Sequence, residues 1–274
     1  MSRKKRKANL CAAQPNRNRP KNINFNQTNY DDYDDTPYYA PEVYQEKVIA
    51  KTVEPIRYLT KAQAEYAKGI DYSTITIGVG PAGTGKSHIA LTYAADKLRD
   101  KEIERILVFR PIVEAGRPLG ALPGTAEEKT IKYFTPMLDM LEKRLGTGPL
   151  KFFIEKKKII LEATNYIRGS TFENCIVIID ECQNYTKDEL KLLVTRIGDN
   201  CKMIFDGDDS QIDISEYSSG LKDILRIFLT YGHRDQVVFT PDEVSVIRFT
   251  EDDIVRNEMI KKILKAYRIN KEDD

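Results

Sequence analysis

The sequence predicts an α/β fold in which a mainly parallel sheet carries helices on both faces. Two observations lead to this prediction. Short apolar runs alternate along the chain with segments whose apolar residues recur at helical spacing. The first of these runs passes through a glycine-rich turn straight into a helical segment, as in a parallel strand-turn-helix unit. Because such folds bind ligands at the carboxyl ends of their strands, the residues that follow the apolar runs are the first candidates for function.

Six apolar runs have the length and composition of buried strands. They cover residues 73–79, 106–110, 159–163, 176–180, 202–205 and 236–239. Four further segments have helical periodicity, namely residues 87–99, 125–145, 187–197 and 252–267. The sequence shows no internal repeat, so we expect these elements to form one core.

The length and charge of the chain limit what it can be. Its 274 residues fit one large domain with extensions, and we divide them into an N-terminal arm (1–45), a central domain (46–268) and a charged C-terminal tail (269–274). Apolar stretches stay well below the roughly 20 residues of a membrane span, and no apolar signal core is visible. We therefore expect a cytoplasmic protein without a membrane partner. Since the formal net charge is +1, a nucleic-acid partner would have to be held by a local basic surface.

The N-terminal arm differs in composition from the rest of the chain. Residues 3–7 form a basic block, and residues 30–35 form an acidic, tyrosine-rich stretch. Such a segment buries too little apolar surface to offset the entropy lost on ordering, so we expect disorder or a weakly held arm. The basic block would either grip phosphate backbones or remain a solvated tail. Over the whole chain, four cysteines without a Cys-x-x-Cys pair and only two histidines argue against a zinc site and a Ser-His-Asp hydrolase.

The glycine-rich turn after the first apolar run is a complete phosphate-binding loop. It consists of Gly80, Pro81, Ala82, Gly83, Thr84, Gly85, Lys86 and Ser87. Its glycines let backbone N–H groups wrap around phosphate oxygens, and the N-terminus of the next helix adds its dipole. Lys86 would reach the β and γ phosphates, and the Ser87 hydroxyl would bind Mg²⁺. The loop therefore predicts a nucleoside triphosphate with Mg²⁺ as the ligand, against the alternative of an ordinary glycine-rich turn.

Two acids, Asp180 and Glu181, end the fourth apolar run. In phosphate-loop enzymes the first such acid holds Mg²⁺, and its neighbour can orient and deprotonate the attacking water. We therefore assign Asp180 to the metal and Glu181 to the water. Without the phosphate loop, the same pair would indicate only a solvated strand end.

Polar residues elsewhere are candidates for further contacts with the nucleotide. Asp208 and Gln211 follow the fifth apolar run, and their turn would place Gln211 near the γ-phosphate, where it could sense hydrolysis. Asp208 would hold the turn or the water shell of the metal, and a plain polar turn is the alternative. Gln63 lies about ten residues before the first run, and its amide can both donate to and accept from the edge of adenine. The alternative is a surface glutamine on a helix.

Several stretches match one family in the same order along the chain. They are residues 80–87, 110–116, 119–120, 122–124, 166–169, 179–184, 195–198, 207–208 and 211–213, within roughly residues 55–268. The chain resembles the PhoH family of phosphate-loop ATPases, which is related to superfamily 1 helicases. This resemblance implies a RecA-like core, ATP with Mg²⁺, and a role directed at RNA. The chain departs from the family pattern at Arg117, where an acid is common, at Asp206, where threonine is common, and at Asn257, where a histidine is usual.

Arginines are the candidates for contacts with developing charge and with nucleic acid. Arg256 is the leading candidate for an arginine finger, because a guanidinium can neutralise charge on the γ-phosphate during transfer, and a helix-surface ion pair is the alternative. Arg168, in a loop before the acid-bearing strand, is a second candidate. Arg110 and Arg117 flank the loop after the second run, where related helicases contact the nucleic-acid backbone. They would make that contact or be simple surface charges.

The resemblance also suggests an assembly and a set of functions. Superfamily 1 motors close a cleft between two RecA-like cores, whereas this chain has one, so we expect a homo-oligomeric ring with Arg256 or Arg168 acting across an interface. The leading hypothesis is an ATPase coupled to RNA or other single-stranded nucleic acid, which it binds, remodels or unwinds. One alternative is a kinase. The assignment of Glu181 to the attacking water and of Gln211 to the γ-phosphate favours hydrolysis over transfer to another acceptor. Another alternative is a nucleotide-gated scaffold for a nuclease partner.

Overall fold

The computed structural model describes residues 53–111, 126–163, 171–214, 218–230, 239–255 and 259. Its sheet consists of β1 (Ile75–Val79), β2 (Arg105–Arg110), β3 (Ile159–Ala163), β4 (Cys175–Ile179), β5 (Cys201–Gly207) and β6 (Val244–Arg248). All of its pairings are parallel, and the order across the sheet is β3-β2-β4-β5-β1-β6. The carboxyl end of β5 therefore lies between those of β1 and β4.

Helices cover both faces of this sheet. They are α1 (Lys61–Tyr72), α2 (Lys86–Arg99), α3 (Ala126–Leu145), α4 (Thr147–Glu155), α5 (Lys187–Val194) and α6 (Gly220–Thr230). Short 3₁₀ turns lie at Cys182–Asn184 and Glu251–Asp253. Apolar side chains of α1 to α4 pack in one cluster with one side of the strands, and those of α5 and α6 pack in a second cluster with the other side. The predicted α/β fold with helices on both faces is confirmed.

Burial on both faces explains the continuous apolar runs in the sequence. All five residues of β1 and all five of β4 are buried. Neighbours within a strand point to opposite sides of the sheet, so Ile106 and Val108 of β2 belong to the α1–α4 cluster, while Leu107 and Phe109 belong to the α5–α6 cluster. A polar side chain at these positions is buried away from water, so apolar residues predominate, with Thr76 of β1 as an exception.

Local signals start the helices around the phosphate loop. Thr60 caps α1, because its Oγ1 accepts a hydrogen bond from the Gln63 N–H at 3.2 Å. Thr186 and Glu189 form a reciprocal capping box at the start of α5. α2 differs, since Gly85 is its N-cap in a left-handed conformation and no described side chain caps its first turn. The N–H groups of that turn are therefore available to an anion.

Several predicted boundaries were wrong. The helix predicted at 187–197 ends at Val194. At the start of the helix predicted at 252–267, residues 252 and 253 lie in a 3₁₀ turn and residues 254 and 255 are not helical; of its remainder only Met259, which is helical, lies among the described residues. Phe239 is not in a strand, and residues 236–238 of that predicted strand lie outside the described residues.

The elements that the sequence analysis missed have weak local signals. The edge strand β6 is only partly buried, so it lacks the continuous apolar run of the central strands. α4 begins Thr147-Gly148-Pro149, which reads as a loop, although proline is tolerated in the first turn of a helix. The N-terminal arm 1–45 and the tail 269–274 lie outside the described residues. Within the described parts of the chain, every helix is too short or too polar to cross a bilayer.

Candidate nucleotide-binding site

A cavity of about 330 Å³ lies at the carboxyl ends of β1, β4 and β5. It brings together the phosphate loop, the two acids after β4 and the turn after β5, which come from distant parts of the chain. Its lining residues are Ala82, Gly83, Gly85, Lys86, Ser87, His88, Met140, Asp180, Glu181, Asp206, Gly207, Asp208, Gln211 and Val255. The position of β5 between β1 and β4 explains this convergence, because parallel strands deliver their carboxyl ends to one edge.

Glycine is required at two positions of the phosphate loop. Gly80 has φ 145°, and a Cβ atom there would lie 2.3 Å from the carbonyl oxygen of Phe249. Gly85 has φ 89°, and a Cβ atom there would lie 2.9 Å from Nε2 of Gln63. Residues with a side chain rarely adopt such φ values, and other atoms already occupy the space that a Cβ atom would need. The glycine spacing that identified the loop therefore has a local structural cause.

Lys86 places its ammonium group inside the loop. Its Nζ donates hydrogen bonds to the carbonyl oxygens of Gly80 at 2.6 Å and Pro81 at 2.9 Å, and to Oγ1 of Thr84 at 3.2 Å. Burial lowers the pKa of Lys86 from its ordinary value, and the neighbouring carboxylates, Asp206 foremost, act in the opposite direction. The acceptors belong to the loop itself, and phosphate oxygens are stronger, charged acceptors that can replace them.

Ser87 and Asp180 lie side by side, as the assignment to a common metal requires. The Ser87 hydroxyl donates to Oδ1 of Asp180 at 2.9 Å. Burial raises the pKa of the Asp180 carboxyl, and the guanidinium of Arg110 is the strongest influence that lowers it. Among the described residues, no group of three or more His, Cys, Asp or Glu side chains is arranged to hold a metal alone. Mg²⁺ typically combines one or two protein oxygens with substrate phosphates, so this hydroxyl and carboxylate fit it.

Glu181 has an unusual backbone conformation, and two neighbouring side chains hold its carboxylate by hydrogen bonds. Its φ is 51°, in the left-handed region that costs a non-glycine residue roughly 1–2 kcal/mol. Oε2 accepts from Nε2 of Gln183 at 2.7 Å, and Oε1 accepts from Nη2 of Arg110 at 3.2 Å. The Glu181 side chain is 40% exposed and lines the cavity, so its carboxylate can contact a water molecule there.

Gln183 is a site residue that the sequence analysis did not single out. It is buried, and its Oε1 accepts from the backbone N–H of Asp208 at 3.0 Å while its Nε2 binds Glu181. The amide thus connects the acid after β4 with the turn after β5. A signal was available, because Gln183 lies within the matching stretch 179–184.

Asp208 holds the turn after β5, which is one of the two roles expected for it. Its Oδ1 accepts from the N–H and the hydroxyl of Ser210 at 3.0 and 2.6 Å. Its Oδ2 accepts from the N–H of Ala82 at 3.2 Å, so the turn is joined to the phosphate loop. Gln211 follows at the cavity, where its side chain is exposed and its N–H donates to the carbonyl oxygen of Asp208 at 3.2 Å. Contact between Gln211 and a γ-phosphate remains a prediction.

Gln63 is buried beneath the phosphate loop and is not a surface residue. Its Nε2 donates to the carbonyl oxygen of Thr84 at 2.9 Å, and its Oε1 accepts from the N–H of Leu59 at 2.7 Å. Both functions of the amide are paired within the chain. Contact with adenine would require exchange of these bonds, and it remains a prediction.

Asp206 is a second residue that the sequence analysis did not place in the site. Its Oδ1 accepts a short hydrogen bond from the hydroxyl of Tyr66, and its Oδ2 has no partner among the described residues. The side chain is 1% exposed. Burial, with a smaller contribution from Asp180, raises the pKa of Asp206 to about 7. A carboxyl group that is largely protonated at pH 6 therefore borders the cavity.

The predicted arginines are only partly described. Arg256, Arg168 and Arg117 lie outside the described residues. Val255, which precedes Arg256 in the chain, lines the cavity and donates its N–H to the carbonyl oxygen of Gly83 at 3.1 Å. Arg110 is described and contacts the two acids, so it is not a simple surface charge.

Known proteins match most of this chain. A family model described as PhoH-like protein matches residues 55–268. A PhoH-like protein of Bacillus subtilis (strain 168) is 35% identical over 230 residues, which make up 84% of this chain and 69% of that protein. Protein PhoH of Escherichia coli (strain K12) is 36% identical over 221 residues, 80% of this chain and 60% of that protein. The chain thus spans about two thirds of the length of these relatives.

Among solved structures, the Pif1 helicase from Candida albicans is similar to 71% of this chain and to 41% of its own chain, with 15% sequence identity and a TM-score of 0.33. The sequence comparisons are much stronger. The matching stretch 55–268 contains the phosphate loop, both acids and the turn after β5, and the relatives exceed 30% identity over at least four fifths of this chain. On this evidence the chain belongs to the PhoH-like protein family.

Proposed function

We propose that this protein binds ATP with Mg²⁺ and hydrolyses it, and that turnover is coupled to RNA or another single-stranded nucleic acid. One observation carries the proposal. Ser87, at the end of the phosphate loop, donates to Asp180 at 2.9 Å, and Glu181 lies next along the chain at the same cavity. The loop, two oxygens that would hold Mg²⁺ and a carboxylate that would accept a proton from water thus border one cavity, which supports the proposal.

In the proposed reaction each residue has a distinct task. Lys86 exchanges its loop acceptors for oxygens of the β and γ phosphates and neutralises part of their charge. Bound Mg²⁺ would supply further neutralisation of the phosphates, with Ser87 and Asp180 as its protein partners. Glu181, oriented by Gln183, accepts the proton of the attacking water while the water oxygen bonds to the γ-phosphorus and the bond from that phosphorus to the bridging oxygen of ADP breaks.

After hydrolysis, a conformational change at the site can be transmitted to the rest of the protein through the turn after β5. Gln211 lies at the cavity, and Asp208 joins its turn to Ala82 of the phosphate loop. Gln183 joins the same turn to Glu181. Loss of the γ-phosphate would therefore change the position of the whole hydrogen-bonded turn after β5 and not of Gln211 alone.

The nucleic-acid partner is supported by the resemblance to a helicase-related family and by the basic block at residues 3–7. A cytoplasmic location belongs to the same proposal. Three of the four cysteines, Cys175, Cys182 and Cys201, are buried free thiols, which persist in reducing compartments.

The experiment is an assay of phosphate release with and without single-stranded RNA, with Lys86→Ala protein as the matched control for contaminating ATPases. RNA-stimulated release that the control lacks is the expected result. Release only into an added acceptor would support a kinase instead. ATP binding without turnover would support a nucleotide-gated scaffold for a nuclease.

We further propose that the protein acts as a homo-oligomer, as a ring, with Arg256 reaching the γ-phosphate of a neighbouring subunit. Arg256→Ala should then bind ATP normally but lose turnover by about 10³-fold or more. Mixing it with Lys86→Ala protein should restore part of the activity, because intact sites would again face intact arginines. A lack of restoration between subunits shown to exchange would exclude action across an interface.

A further inference from the structure

Arg110, the last residue of β2, lies directly beside the two site acids. β2 pairs with β4 in a register that places Phe109 opposite Ile179, so Arg110, which still pairs with Ala163 of β3, and Asp180, the residue after β4, lie side by side at the same edge of the sheet. The guanidinium contacts both carboxylates: Nη2 lies 3.2 Å from Oε1 of Glu181, and Nε lies 3.6 Å from Oδ2 of Asp180. The side chain is 25% exposed.

A third contact fixes the guanidinium against α3. Nη1 of Arg110 donates to the carbonyl oxygen of Tyr133 at 3.1 Å. The planar guanidinium fork thus directs one nitrogen to each of three oxygens, two through hydrogen bonds and the Asp180 oxygen through an ion pair, which a lysine cannot reproduce. This arrangement differs from both a phosphate-backbone contact and a solvated charge.

The charges at the cavity explain why such a cation is needed. Four carboxyl groups border it, those of Asp180, Glu181, Asp206 and Asp208. Lys86 is the one lysine or arginine among the described lining residues, and its ammonium binds the oxygens of the phosphate loop. Without Arg110, the adjacent acids Asp180 and Glu181 would lose the cation that contacts them both and keep only the more distant charge of Lys86, and such a pair of acids attracts a divalent cation.

We propose that Arg110 is a positioning residue that stands in for the positive charge of the metal. It pairs with Asp180 and Glu181 and so weakens their affinity for a free divalent cation. Metal then binds well only when the phosphates of the nucleotide supply further ligands and further negative charge. This inference rests on the proposed Mg²⁺ site at Ser87 and Asp180 but not on ATP hydrolysis.

The geometry allows the metal and Arg110 to exchange without disturbing Glu181. Ser87 faces Oδ1 of Asp180, whereas Arg110 faces Oδ2 at the longer distance of 3.6 Å. A metal between Ser87 and Asp180 therefore competes with the weaker of the two ion pairs. The pair with Glu181 at 3.2 Å persists, and with Gln183 on the other oxygen it keeps the carboxylate oriented.

The test is a titration of the full chain with Mn²⁺ at pH 8 without nucleotide, in which electron paramagnetic resonance measures free Mn²⁺. Arg110→Met should bind Mn²⁺ at least about tenfold more tightly than the wild type, since it removes a competing unit charge. Arg110→Lys, which keeps the charge but loses the fork, should lie between them. A merely structural role would leave the affinity unchanged or lower it.

Two controls locate the effect. Arg226→Met removes an arginine that pairs with Asp223 on the exposed surface of α6, and it should leave Mn²⁺ affinity unchanged. Adding Asp180→Asn to Arg110→Met should abolish the gain. If Arg110→Met does not fold by circular dichroism, Arg110→Gln replaces it. Wild-type affinity in the folded neutral variant, or a gain that survives Asp180→Asn, would overturn the proposal, whereas absent ATP hydrolysis would affect only the proposed function.

Discussion

Replacing Asp206 with asparagine should stabilise the protein at pH 8 and change its stability little near pH 4. The reason is the environment of the carboxyl group, which is buried with one hydrogen bond from Tyr66 and a second oxygen that has no partner in the described parts of the chain. Asparagine has nearly the same shape but carries no charge. It therefore resembles the protonated form of Asp206 at every pH.

The direction and the size of the effect follow from the pKa. An ordinary aspartate has a pKa of 3.8, and that of Asp206 is raised to about 7 by burial. Between these values the unfolded chain is ionised while the folded chain keeps its proton, so stability falls as the pH rises through this window and levels off above about 7. The roughly three pKa units correspond to about 4 kcal/mol in the free energy of unfolding.

Urea unfolding at pH 4.5 and pH 8 measures this difference for the wild type and Asp206→Asn. The difference in free energy of unfolding between Asp206→Asn and the wild type should shift in favour of the variant by a few kcal/mol from pH 4.5 to pH 8. Asp209→Asn is the matched control, because among the described residues its carboxylate makes one exposed ion pair, with Arg248, worth at most about 1 kcal/mol. If the free energies of unfolding of Asp206→Asn and the wild type changed with pH in parallel, the reasoning would be refuted, since the pKa of Asp206 would then be the same in the folded and the unfolded chain.

Two other substitutions test the cavity itself. Gly80→Ala should lose ATP affinity and lower the free energy of unfolding by a few kcal/mol, because its Cβ would lie 2.3 Å from the carbonyl oxygen of Phe249. Gly148→Ala, with nothing within 4 Å, is its control in urea unfolding and ATP titration, and equal behaviour of the two variants would contradict the prediction. Glu181→Gln should retain ATP and Mg²⁺ but release phosphate at least about 100-fold more slowly, since an amide cannot accept the proton of the water. Near-wild-type turnover would assign that task to another group.

The parts of the site that could be predicted are those encoded by neighbouring residues. The phosphate loop is recognised from glycine spacing because Gly80 and Gly85 need backbone angles that other residues rarely adopt. Asp180 and Glu181 follow a strand that must be apolar because both of its faces are buried. Parallel strands then bring their carboxyl ends together, so the meeting of these groups also follows from the order of elements.

The contacts that could not be predicted join side chains far apart in the chain. Arg110 and Glu181 are 71 residues apart, and Tyr66 and Asp206 are 140 residues apart. Which side chains meet depends on the strand order and on the pairing register of each strand. A register shift of one residue would move every side chain of that strand to the other face of the sheet. The edge strand β6 was missed for a related reason, since partial burial relaxes the need for a continuous apolar run.

The most direct test of the nucleotide site is an equilibrium titration of ATP and Mg²⁺ against the wild type and Lys86→Ala. Lys86 donates to the loop oxygens of Gly80 and Pro81 at 2.6 and 2.9 Å, and its two replacement bonds to phosphate would each contribute about 1.5–3 kcal/mol. The wild type should therefore bind ATP, and Lys86→Ala should bind it at least about 100-fold more weakly while keeping its circular dichroism spectrum. Equal affinities, or no binding by the wild type, would contradict a triphosphate site at this loop.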